Sequence, residues 1–229
     1  MIKVTNLVKT YPGTVPTRAL KGVTLEIAEG EIVALMGRSG SGKSTLLHQL
    51  GLLDLPTSGT VVINNTDVLS LSDEERTRFR LQYLGYVFQE YALIAEFTAL
   101  ENVYFPAMAS GDISAKERAV HLLDLVGLKD RIHHYPNEMS GGEQQRVAIA
   151  RSLINNPKVL FADEPTANLD TVSSDIVFKL FQKLNKELKQ TILVVTHEPE
   201  DEKYVDRIIM LKDGLLEKDG APTSGPYTI

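Results

Sequence analysis

Short apolar runs alternate along the chain with longer stretches in which apolar residues recur every three or four positions. The run Val23–Ile27 alternates strictly between apolar and polar residues, as in a half-buried strand. The run Glu31–Met36 is almost continuously apolar, as in a strand covered on both faces. The other predicted strands are Ile2–Val4, Thr60–Ile63, Val159–Ala162 and Thr191–Val195. Buried strands that alternate with helices indicate an α/β fold with a mainly parallel sheet.

The helical patterns lie between these strands. Ser72–Glu75 and Ser114–Glu117 both have the spacing of a capping box that opens a helix. The segment Val172–Leu188 has the pattern of an amphipathic helix. Its predicted buried stripe consists of Ile176, Val177, Leu180, Leu184 and Leu188. No convincing strand occurs from Ser70 to Val126, so we expect a helical insertion there.

Composition restricts the possible classes of function. The 229 residues include 24 Lys and Arg against 30 Asp and Glu, a net charge of −6 that argues against a protein whose main work is binding nucleic acid. The absence of cysteine excludes disulfides, thiolate metal sites and cysteine nucleophiles. No run approaches the roughly 18 apolar residues of a membrane span, and the N-terminal sequence lacks the apolar core of a signal peptide. We expect a cytoplasmic protein that works at a membrane only through a partner.

The segment GRSGSGKST lies between the apolar run that ends at Met36 and a helix predicted from Ser44 to Leu52. Its glycines allow backbone N–H groups to surround phosphate oxygens at a helix N-terminus. Lys43 would bring a mobile positive charge to the phosphates, and the Ser44 hydroxyl can ligate Mg²⁺. The residues expected at the nucleotide are Gly37, Ser39, Gly40, Ser41, Gly42, Lys43, Ser44 and Thr45. A plain Gly/Ser-rich turn is the alternative, but the strand before the segment and the helix after it favour a phosphate loop.

A second apolar run, beginning at Val159, ends in the carboxylates Asp163 and Glu164. In a doubly wound sheet, ligands bind beyond the carboxyl ends of the strands, so both acids should lie beside the phosphates. We expect Asp163 to hold Mg²⁺ through water and Glu164 to polarise the attacking water. The alternative is a solvated acidic turn before Pro165.

The segment MSGGEQQR contains a further glycine motif and precedes an apolar helix. Ser140 and Glu143 have capping-box spacing, which is a purely structural explanation. A cap does not require Gly141 and Gly142, whereas a second anion-binding helix N-terminus would use both glycines. Both interpretations stay open at this point, and they are compatible.

Taken together, these segments resemble the nucleotide-binding subunits of ABC transporters, and the likeness runs from Met1 to about Asp213. The motifs follow the order of that family: the phosphate loop, Gln89, the SGG segment, the Asp-Glu strand end, the Asn-Leu-Asp that ends at Asp170, and His197. LKGVTLEIAEGE, GYVFQEYALI and FADEPTANLD are most similar to the branch of lipoprotein-release, macrolide-export and cell-division ATPases.

The resemblance implies a P-loop NTPase core with a mainly parallel sheet, an N-terminal antiparallel β-subdomain and an inserted α-helical subdomain. It implies one ABC ATPase domain over residues 1–229. Residues of about 1–69 and 157–219 would form the ATP-binding core with the β-subdomain. Residues of about 70–156 would form the helical subdomain, and residues 220–229 a short tail.

The resemblance also implies that two copies close head to tail around two Mg-ATP molecules. Ser140 and Gly142 would then contact the γ-phosphate bound by the opposite subunit, with Gly141 between them also at the nucleotide. His197 would complete the γ-phosphate contacts. Asp170 would communicate across the dimer.

Two further roles follow from the resemblance. Tyr11 would stack on adenine. Gln89 would sense the metal and relay the nucleotide state to a separate membrane permease.

Several of these residues have structural alternatives. Tyr11 precedes Pro12-Gly13 and could hold a turn, His197 could simply end a buried strand, and Asp170 could cap the following helix. Met139 and Glu143 stand where the family commonly has Leu and Gln. Glu143 adds negative charge near a phosphate-facing helix end unless the capping box directs its carboxylate to the backbone.

The segment from Tyr91 to Met108 is rich in large apolar residues. They are Tyr91, Leu93, Ile94, Phe97, Leu100, Tyr104, Phe105 and Met108. Most are expected in the core of the helical subdomain, and a few could line a groove for a permease helix. The favoured function is therefore the ATPase of an export-type transporter. The alternative is an ATP-gated mechanical or signalling switch with no transported cargo.

Overall fold

The computed structural model describes residues 1–109, 111–112 and 114–222, which form two β-sheets and six α-helices. The strands are β1 (Ile2–Tyr11), β2 (Thr17–Ile27), β3 (Ile32–Met36), β4 (Ser58–Ile63), β5 (Thr66–Asp67), β6 (Leu84–Val87), β7 (Val159–Asp163), β8 (Thr191–Val195), β9 (Arg207–Lys212) and β10 (Leu215–Gly220). The helices are α1 (Lys43–Leu50), α2 (Asp73–Tyr83), α3 (Ala99–Ala109), α4 (Ala115–Leu125), α5 (Gly141–Leu153) and α6 (Thr171–Leu188). Short 3₁₀ helices span Lys129–Arg131, Pro136–Glu138 and Pro199–Tyr204.

The larger sheet has the strand order β10-β9-β3-β8-β7-β6, and every pair from β9 to β6 is parallel. Only β10 runs antiparallel to its neighbour β9. The smaller sheet is antiparallel throughout, in the order β2-β1-β4-β5. The predicted α/β class, the mainly parallel sheet and the N-terminal antiparallel sheet are therefore confirmed.

Two cores lie on opposite faces of the larger sheet, because successive side chains of a strand point to opposite faces. On β3, Ile32 and Ala34 join a core formed with α3, α4, α5 and α6. Val33 and Leu35, the alternate residues of the same strand, join a core formed with α1 and the smaller sheet. All five residues of β3 are buried, so the phosphate-loop segment that follows starts from a rigid strand.

The prediction of no strand between Ser70 and Val126 is wrong. The four-residue strand β6 follows α2 directly and pairs with β7 at the edge of the larger sheet. Its Gly85 is required by packing, since a Cβ there would lie 2.5 Å from the carbonyl oxygen of Ser152. A strand this short, containing glycine and joined to a helix without turn residues, has almost no periodic signal.

Helix α6 forms where it was predicted, but its buried face differs from the predicted stripe. Ile176 and Leu188 are exposed, while Val177, Leu180 and Leu184 are buried as expected. Phe178 and Phe181 occupy the inward face instead. The two phenylalanines bury more apolar area than Ile176 and Leu188 would, which explains the rotation of the helix face.

The capping boxes predicted for α2 and α4 have different outcomes. At the start of α2, Ser72 Oγ accepts from the Glu75 amide and the Glu75 carboxylate accepts from the Ser72 amide, as predicted. The capping box predicted for Ser114 is wrong, because the Ser114 hydroxyl donates to Asp112 at 2.7 Å and makes no cap for α4. Asp112 also pairs with Arg118 at 2.8 Å, so its carboxylate competes with the helix for the serine.

None of the described helices is long and apolar enough to cross a membrane. Most of the predicted tail, residues 223–229, lies outside the described part of the chain.

Candidate functional site

The loop between β3 and α1 adopts the conformation that a phosphate-binding loop needs. Gly37, Gly40 and Gly42 have φ of 146°, 76° and 105°, which residues with a Cβ rarely adopt. A Cβ at Gly37 would also lie 2.3 Å from the carbonyl oxygen of Leu211. Gly42 is the N-cap of α1 and no side chain caps the helix. The first amides of α1 and the positive end of its dipole are therefore available to an anion.

The remaining predicted loop residues lie around this helix start. Arg38, Ser39 and Gly40 are exposed at the tip of the loop, while Ser44 and Thr45 open α1. Ser41 is buried, and its Oγ has no hydrogen-bond partner among the described residues. A buried hydroxyl without a partner fits a segment that completes its hydrogen bonds with a ligand.

Lys43 extends back over the loop. Its Nζ donates to the carbonyl oxygens of Gly37 at 2.9 Å and Arg38 at 3.1 Å, and the residue is only 6% exposed. Burial lowers the pKa of Lys43, and the negative charges of Glu164 and Asp163 oppose that shift. The ammonium group is therefore held between the loop and the two carboxylates, where an anion would complete its environment.

Asp163 at the end of β7 lies beside the start of α1, as predicted. Its Oδ1 accepts from Ser44 Oγ at 3.3 Å. Two adjacent hard oxygen ligands fit Mg²⁺, which takes few protein ligands when phosphates and water supply the others. The described residues contain no group of three or more His, Asp or Glu side chains that could hold a metal alone.

His48 also belongs to this site, although sequence reasoning missed it. Its Nε2 lies 3.5 Å from Asp163 Oδ2. Burial raises the pKa of Asp163, and attraction to His48 is the main opposing effect. The only signal in the sequence is the spacing of four residues from Ser44 to His48, which places both side chains on one face of α1.

Glu164 marks a sharp change in chain direction. Its φ of 44° is left-handed, an uncommon and strained conformation for a residue with a Cβ. The Glu164 amide donates to the carbonyl oxygen of Val195, which ties it to the adjacent strand β8. His197, just beyond β8, places Nδ1 3.7 Å from Glu164 Oε1. The structure therefore brings together the predicted water-activating carboxylate and the predicted γ-phosphate ligand.

The segment that carries His197 is anchored by an acid that sequence reasoning missed. Asp201 is 7% exposed, and the Thr196 hydroxyl donates to it at 2.5 Å. The Thr196 oxygen in turn accepts from the Glu198 amide at 3.1 Å. These hydrogen bonds flank His197 on both sides in the chain. Burial raises the pKa of Asp201 to about 6, although the bond from Thr196 lowers it.

Asp201→Asn is expected to remove a pH dependence of stability. Because the folded pKa is raised, folding favours the neutral carboxyl, and this contribution is present below pH 4 and lost as the pH rises through about 6. The unfolding free energy of the wild type, measured with urea, should therefore fall relative to Asp201→Asn by roughly 2 kcal/mol between pH 4 and pH 7. Parallel pH profiles for the two proteins would contradict this assignment.

The SGG segment forms the N-terminus of α5. The Ser140 hydroxyl accepts from the Glu143 amide at 3.3 Å, and the Glu143 carboxylate accepts from the Ser140 amide at 2.8 Å. Glu143 also pairs with Arg131 at 3.1 Å. The hydrogen bond from the Ser140 amide is the largest cause of the lowered pKa of Glu143. The carboxylate is thus directed to the backbone, and Arg131 neutralises its charge.

Neighbouring side chains lie close to the two glycines within the chain. A Cβ at Gly141 would lie 2.8 Å from the Tyr91 hydroxyl, and a Cβ at Gly142 would lie 2.9 Å from Ser173 Oγ. The glycines therefore let α5 approach both the segment after Gln89 and the start of α6.

Asp170 is the N-cap of α6, as the structural alternative predicted. It accepts from the Ser173 amide and from the Ser173 hydroxyl, both at 2.9 Å. Its neighbour Asn168 donates to the Gln89 carbonyl oxygen at 3.2 Å. Gln89 is exposed at the carboxyl end of β6, and within the described residues its side chain makes no hydrogen bond to Ser44 or Asp163.

Two polar clamps shape the apolar segment after Gln89, and sequence reasoning missed both. Tyr91 and Ala92 have left-handed φ of 59° and 49°. Arg151 of α5 donates to their carbonyl oxygens at 2.7 and 2.5 Å. Asn102, buried in α3, makes four hydrogen bonds to the backbone from Ile94 to Thr98. The segment is therefore held to the SGG helix on one side and to α3 on the other.

The apolar side chains of this segment divide between core and surface. Leu100 is buried, and the half-buried Leu93 and Tyr104 pack against the core. Phe105 and Met108 are 44% and 50% exposed on α3. This pair matches the prediction that only a few of these residues face outward.

Tyr11 lies at the end of β1 and is 37% exposed. Its hydroxyl contacts Asp54 Oδ2 at 3.2 Å, and the Lys9 ammonium lies 4.9 Å from the centre of its ring. The ring is thus attached to the segment that follows α1, the helix that the phosphate loop opens.

Comparison with known proteins places this site in a family. Residues 20–167 match the family described as "ABC transporter". The chain is 47% identical to the lipoprotein-releasing system ATP-binding protein LolD of Bacteroides thetaiotaomicron, over 96% of this chain and 100% of that protein. It is 46% identical to the macrolide export ATP-binding/permease protein MacB of Bdellovibrio bacteriovorus, but spans only 34% of that longer protein.

A solved structure agrees with these relatives. It is the dimeric, post-hydrolysis state of the ATP-binding cassette MJ0796 bound to ADP and Pi, with a TM-score of 0.89, 44% identity and coverage of 98% of this chain and 100% of that one. The chain belongs to the ABC transporter family and is an ATPase that binds ATP with Mg²⁺. The phosphate loop, the Ser44–Asp163 pair and the Glu164–His197 pair are the features of this structure that fit that chemistry.

Proposed function

We propose that two copies of this chain close around Mg-ATP and drive a separate membrane permease of the export or extrusion type. The observation that carries the proposal is a continuous series of contacts from the catalytic strand end to an exposed apolar surface. Asn168, four residues after Glu164, holds the Gln89 carbonyl, and Arg151 holds the next turn against the SGG helix. Asn102 then ties this segment to α3, the helix on which Phe105 and Met108 are exposed.

In this proposal each site residue has a chemical role. Lys43 and the amides of the loop Gly37–Thr45 bind the β- and γ-phosphates. Ser44, Asp163 and Gln89 hold Mg²⁺, which supplies charge neutralisation at the phosphates when bound. Glu164 accepts a proton from the attacking water. Its Oε1 lies 3.7 Å from His197 Nδ1, beyond hydrogen-bond distance, so we assign that imidazole nitrogen to the γ-phosphate.

The dimer supplies the groups that one copy lacks. Ser140, Gly141 and Gly142 open a capped helix, and we assign this helix end to the γ-phosphate bound by the opposite copy. The pairing of Glu143 with Arg131 supports this role, because the charge of Glu143 is neutralised before a phosphate arrives. Asp170 keeps α6 capped and faces the partner.

The remaining assignments concern the base and the membrane. Tyr11 stacks on adenine, with no need for base-specific hydrogen bonds. We assign residues of about 1–69 and 157–219 to the ATP-binding core and residues of about 70–156 to the helical subdomain, except that α2 and β6 pack with the ATP-binding core. The protein works on the cytoplasmic face of the membrane, bound to its permease. Its net charge of −6 argues against a nucleic-acid partner.

An ATP-gated switch without cargo is not favoured, because the names of the relatives describe export and lipoprotein release.

The apolar surface on α3 provides the test of permease coupling. We expect proteoliposomes that contain the partner permease to stimulate ATP hydrolysis. The double variant Phe105→Ser/Met108→Ser should lose that stimulation, because about half of each side chain is available for docking. Leu215→Ser is the matched control, since Leu215 is 48% exposed on β10, and it should be stimulated like the wild type. Equal stimulation of the double variant would contradict the assignment of this surface.

A further inference from the structure

We propose that Asp54 is a positioning residue for the nucleotide base, acting through Lys9 and Tyr11. The inference rests on the proposed role of Tyr11 as the ring on which adenine stacks. Asp54 lies four residues beyond the end of α1, so a carboxylate tied to the phosphate-loop helix would determine where the base-stacking ring stands.

Asp54 is the centre of a small hydrogen-bonded cluster. Its Oδ1 accepts from Lys9 Nζ and from the Leu55 amide, both at 2.7 Å. Its Oδ2 accepts from Gln49 Nε2 at 3.0 Å and from the Tyr11 hydroxyl at 3.2 Å. The cluster therefore joins strand β1, which carries Lys9 and Tyr11, to helix α1, which carries the fully buried Gln49.

The Tyr11 hydroxyl contact is long for an O–H···O bond, so it cannot hold the ring alone. Lys9 supplies the second restraint. Its Nζ is held by Asp54 and, at 2.6 Å, by the Leu55 carbonyl, and it lies 4.9 Å from the centre of the Tyr11 ring. The ammonium is attracted to the face of the ring. One face of Tyr11 is thereby covered, and a base can stack only on the other face.

The electrostatics fit a permanent carboxylate at this position. Partial burial alone would raise the pKa of Asp54, but the hydrogen bonds from Lys9, Leu55 and Gln49 together outweigh it and lower the pKa. The Lys9 side chain is 12% exposed, so the ion pair is shielded from salt more than a surface pair. The cluster is therefore present across the neutral pH range.

A purely structural role for Asp54 would be to anchor the turn after α1 through Gln49 and Leu55. If Asp54 had only that role, its substitution would disturb the phosphate loop and the base site together, because α1 begins at that loop. A positioning role predicts that the base contribution to affinity is lost while the phosphate contribution remains. Comparing ATP with inorganic tripolyphosphate, which has no base, distinguishes the two roles.

The test is Asp54→Asn, which keeps the shape and one acceptor oxygen but removes the charge that holds Lys9. Calorimetric titration should show ATP affinity about fivefold weaker and tripolyphosphate affinity unchanged, since a stacked base is worth roughly 1–3 kcal/mol in all. In a Tyr11→Ala background, which alone should weaken ATP binding roughly tenfold, Asp54→Asn should have no further effect. Asp124→Asn, an exposed change on α4, is the matched control and should bind both ligands like the wild type.

Three outcomes would overturn the inference: unchanged ATP affinity in Asp54→Asn, equal losses for ATP and tripolyphosphate, or additive effects with Tyr11→Ala. A failure of the underlying proposal looks different. If Tyr11→Ala itself leaves ATP affinity unchanged, then Tyr11 is not the base platform, whatever Asp54 does.

Discussion

Replacing Lys43 by alanine is expected to abolish tight ATP binding and, with it, hydrolysis. The Lys43 ammonium is the cation that the loop holds directly over its own carbonyl oxygens, at 2.9 and 3.1 Å. When the ammonium turns from these neutral carbonyl oxygens to phosphate, its hydrogen bonds gain a negatively charged acceptor and become stronger. Removing one partner of such a desolvated charge pair weakens binding by roughly a hundredfold or more.

Equilibrium binding of a fluorescent ATP analogue measures this loss directly. Lys43→Met is the companion variant, because it keeps the apolar stem that packs in the loop and removes only the charge. Lys129→Ala, an exposed change in a 3₁₀ helix, should bind like the wild type. Wild-type affinity in either Lys43 variant would mean that this loop is not the phosphate site.

Glu164→Gln is expected to bind Mg-ATP with near-normal affinity and to hydrolyse it about 10²- to 10⁴-fold more slowly, the usual contribution of a general base. The amide preserves the shape at a left-handed residue whose backbone is tied to β8, so the site should stay assembled. It cannot accept a proton from water.

Glu198→Gln is the matched control for this rate. Glu198 contacts the same histidine, at 3.2 Å from His197 Nε2, but it is exposed and has no part in the proposed chemistry. Phosphate release should therefore be close to wild type in Glu198→Gln and nearly absent in Glu164→Gln. Equal rates in Glu164→Gln and the wild type would assign the base to another group.

The parts of the fold that the sequence predicted are those with strong local signals. The apolar strand β3, the glycine-rich loop and helix α1 follow each other without a gap, so the position of the phosphate loop needed no tertiary information. The same holds for β7 and its terminal Asp163. Parallel pairing then brings Asp163 next to Ser44, which the rule for strand ends anticipates.

The parts that the sequence did not predict depend on tertiary packing. Arg151 is 60 residues from the Tyr91 carbonyl it holds, and Lys9 is 45 residues from Asp54. No periodicity within a segment can signal such contacts. For the same reason β6 was missed, because only its pairing with β7 makes this four-residue segment a strand.

The SGG segment shows how one sequence feature can serve two purposes. Its capping box accounts for Ser140 within a single chain, and the side chains of Tyr91 and Ser173 pack close to Gly141 and Gly142. The N-terminus of α5 stays exposed, and Arg131 neutralises the charge of Glu143 there. This helix end is the feature that a second copy would use.

The most direct test of the proposed ATP-driven closure is the mass of Glu164→Gln in solution. One chain has a mass of 25.3 kDa, and two copies of Glu164→Gln should trap unhydrolysed ATP between them. With Mg-ATP, size-exclusion chromatography with light scattering should therefore give about twice the mass of one chain, because a ligand bound only by the dimer favours the dimer. With Mg-ADP, or with Lys43→Ala added, the mass should return to one chain. A Glu164→Gln protein that stays at 25.3 kDa in saturating Mg-ATP would contradict the two-copy mechanism and the roles of Ser140 and Gly142 in it.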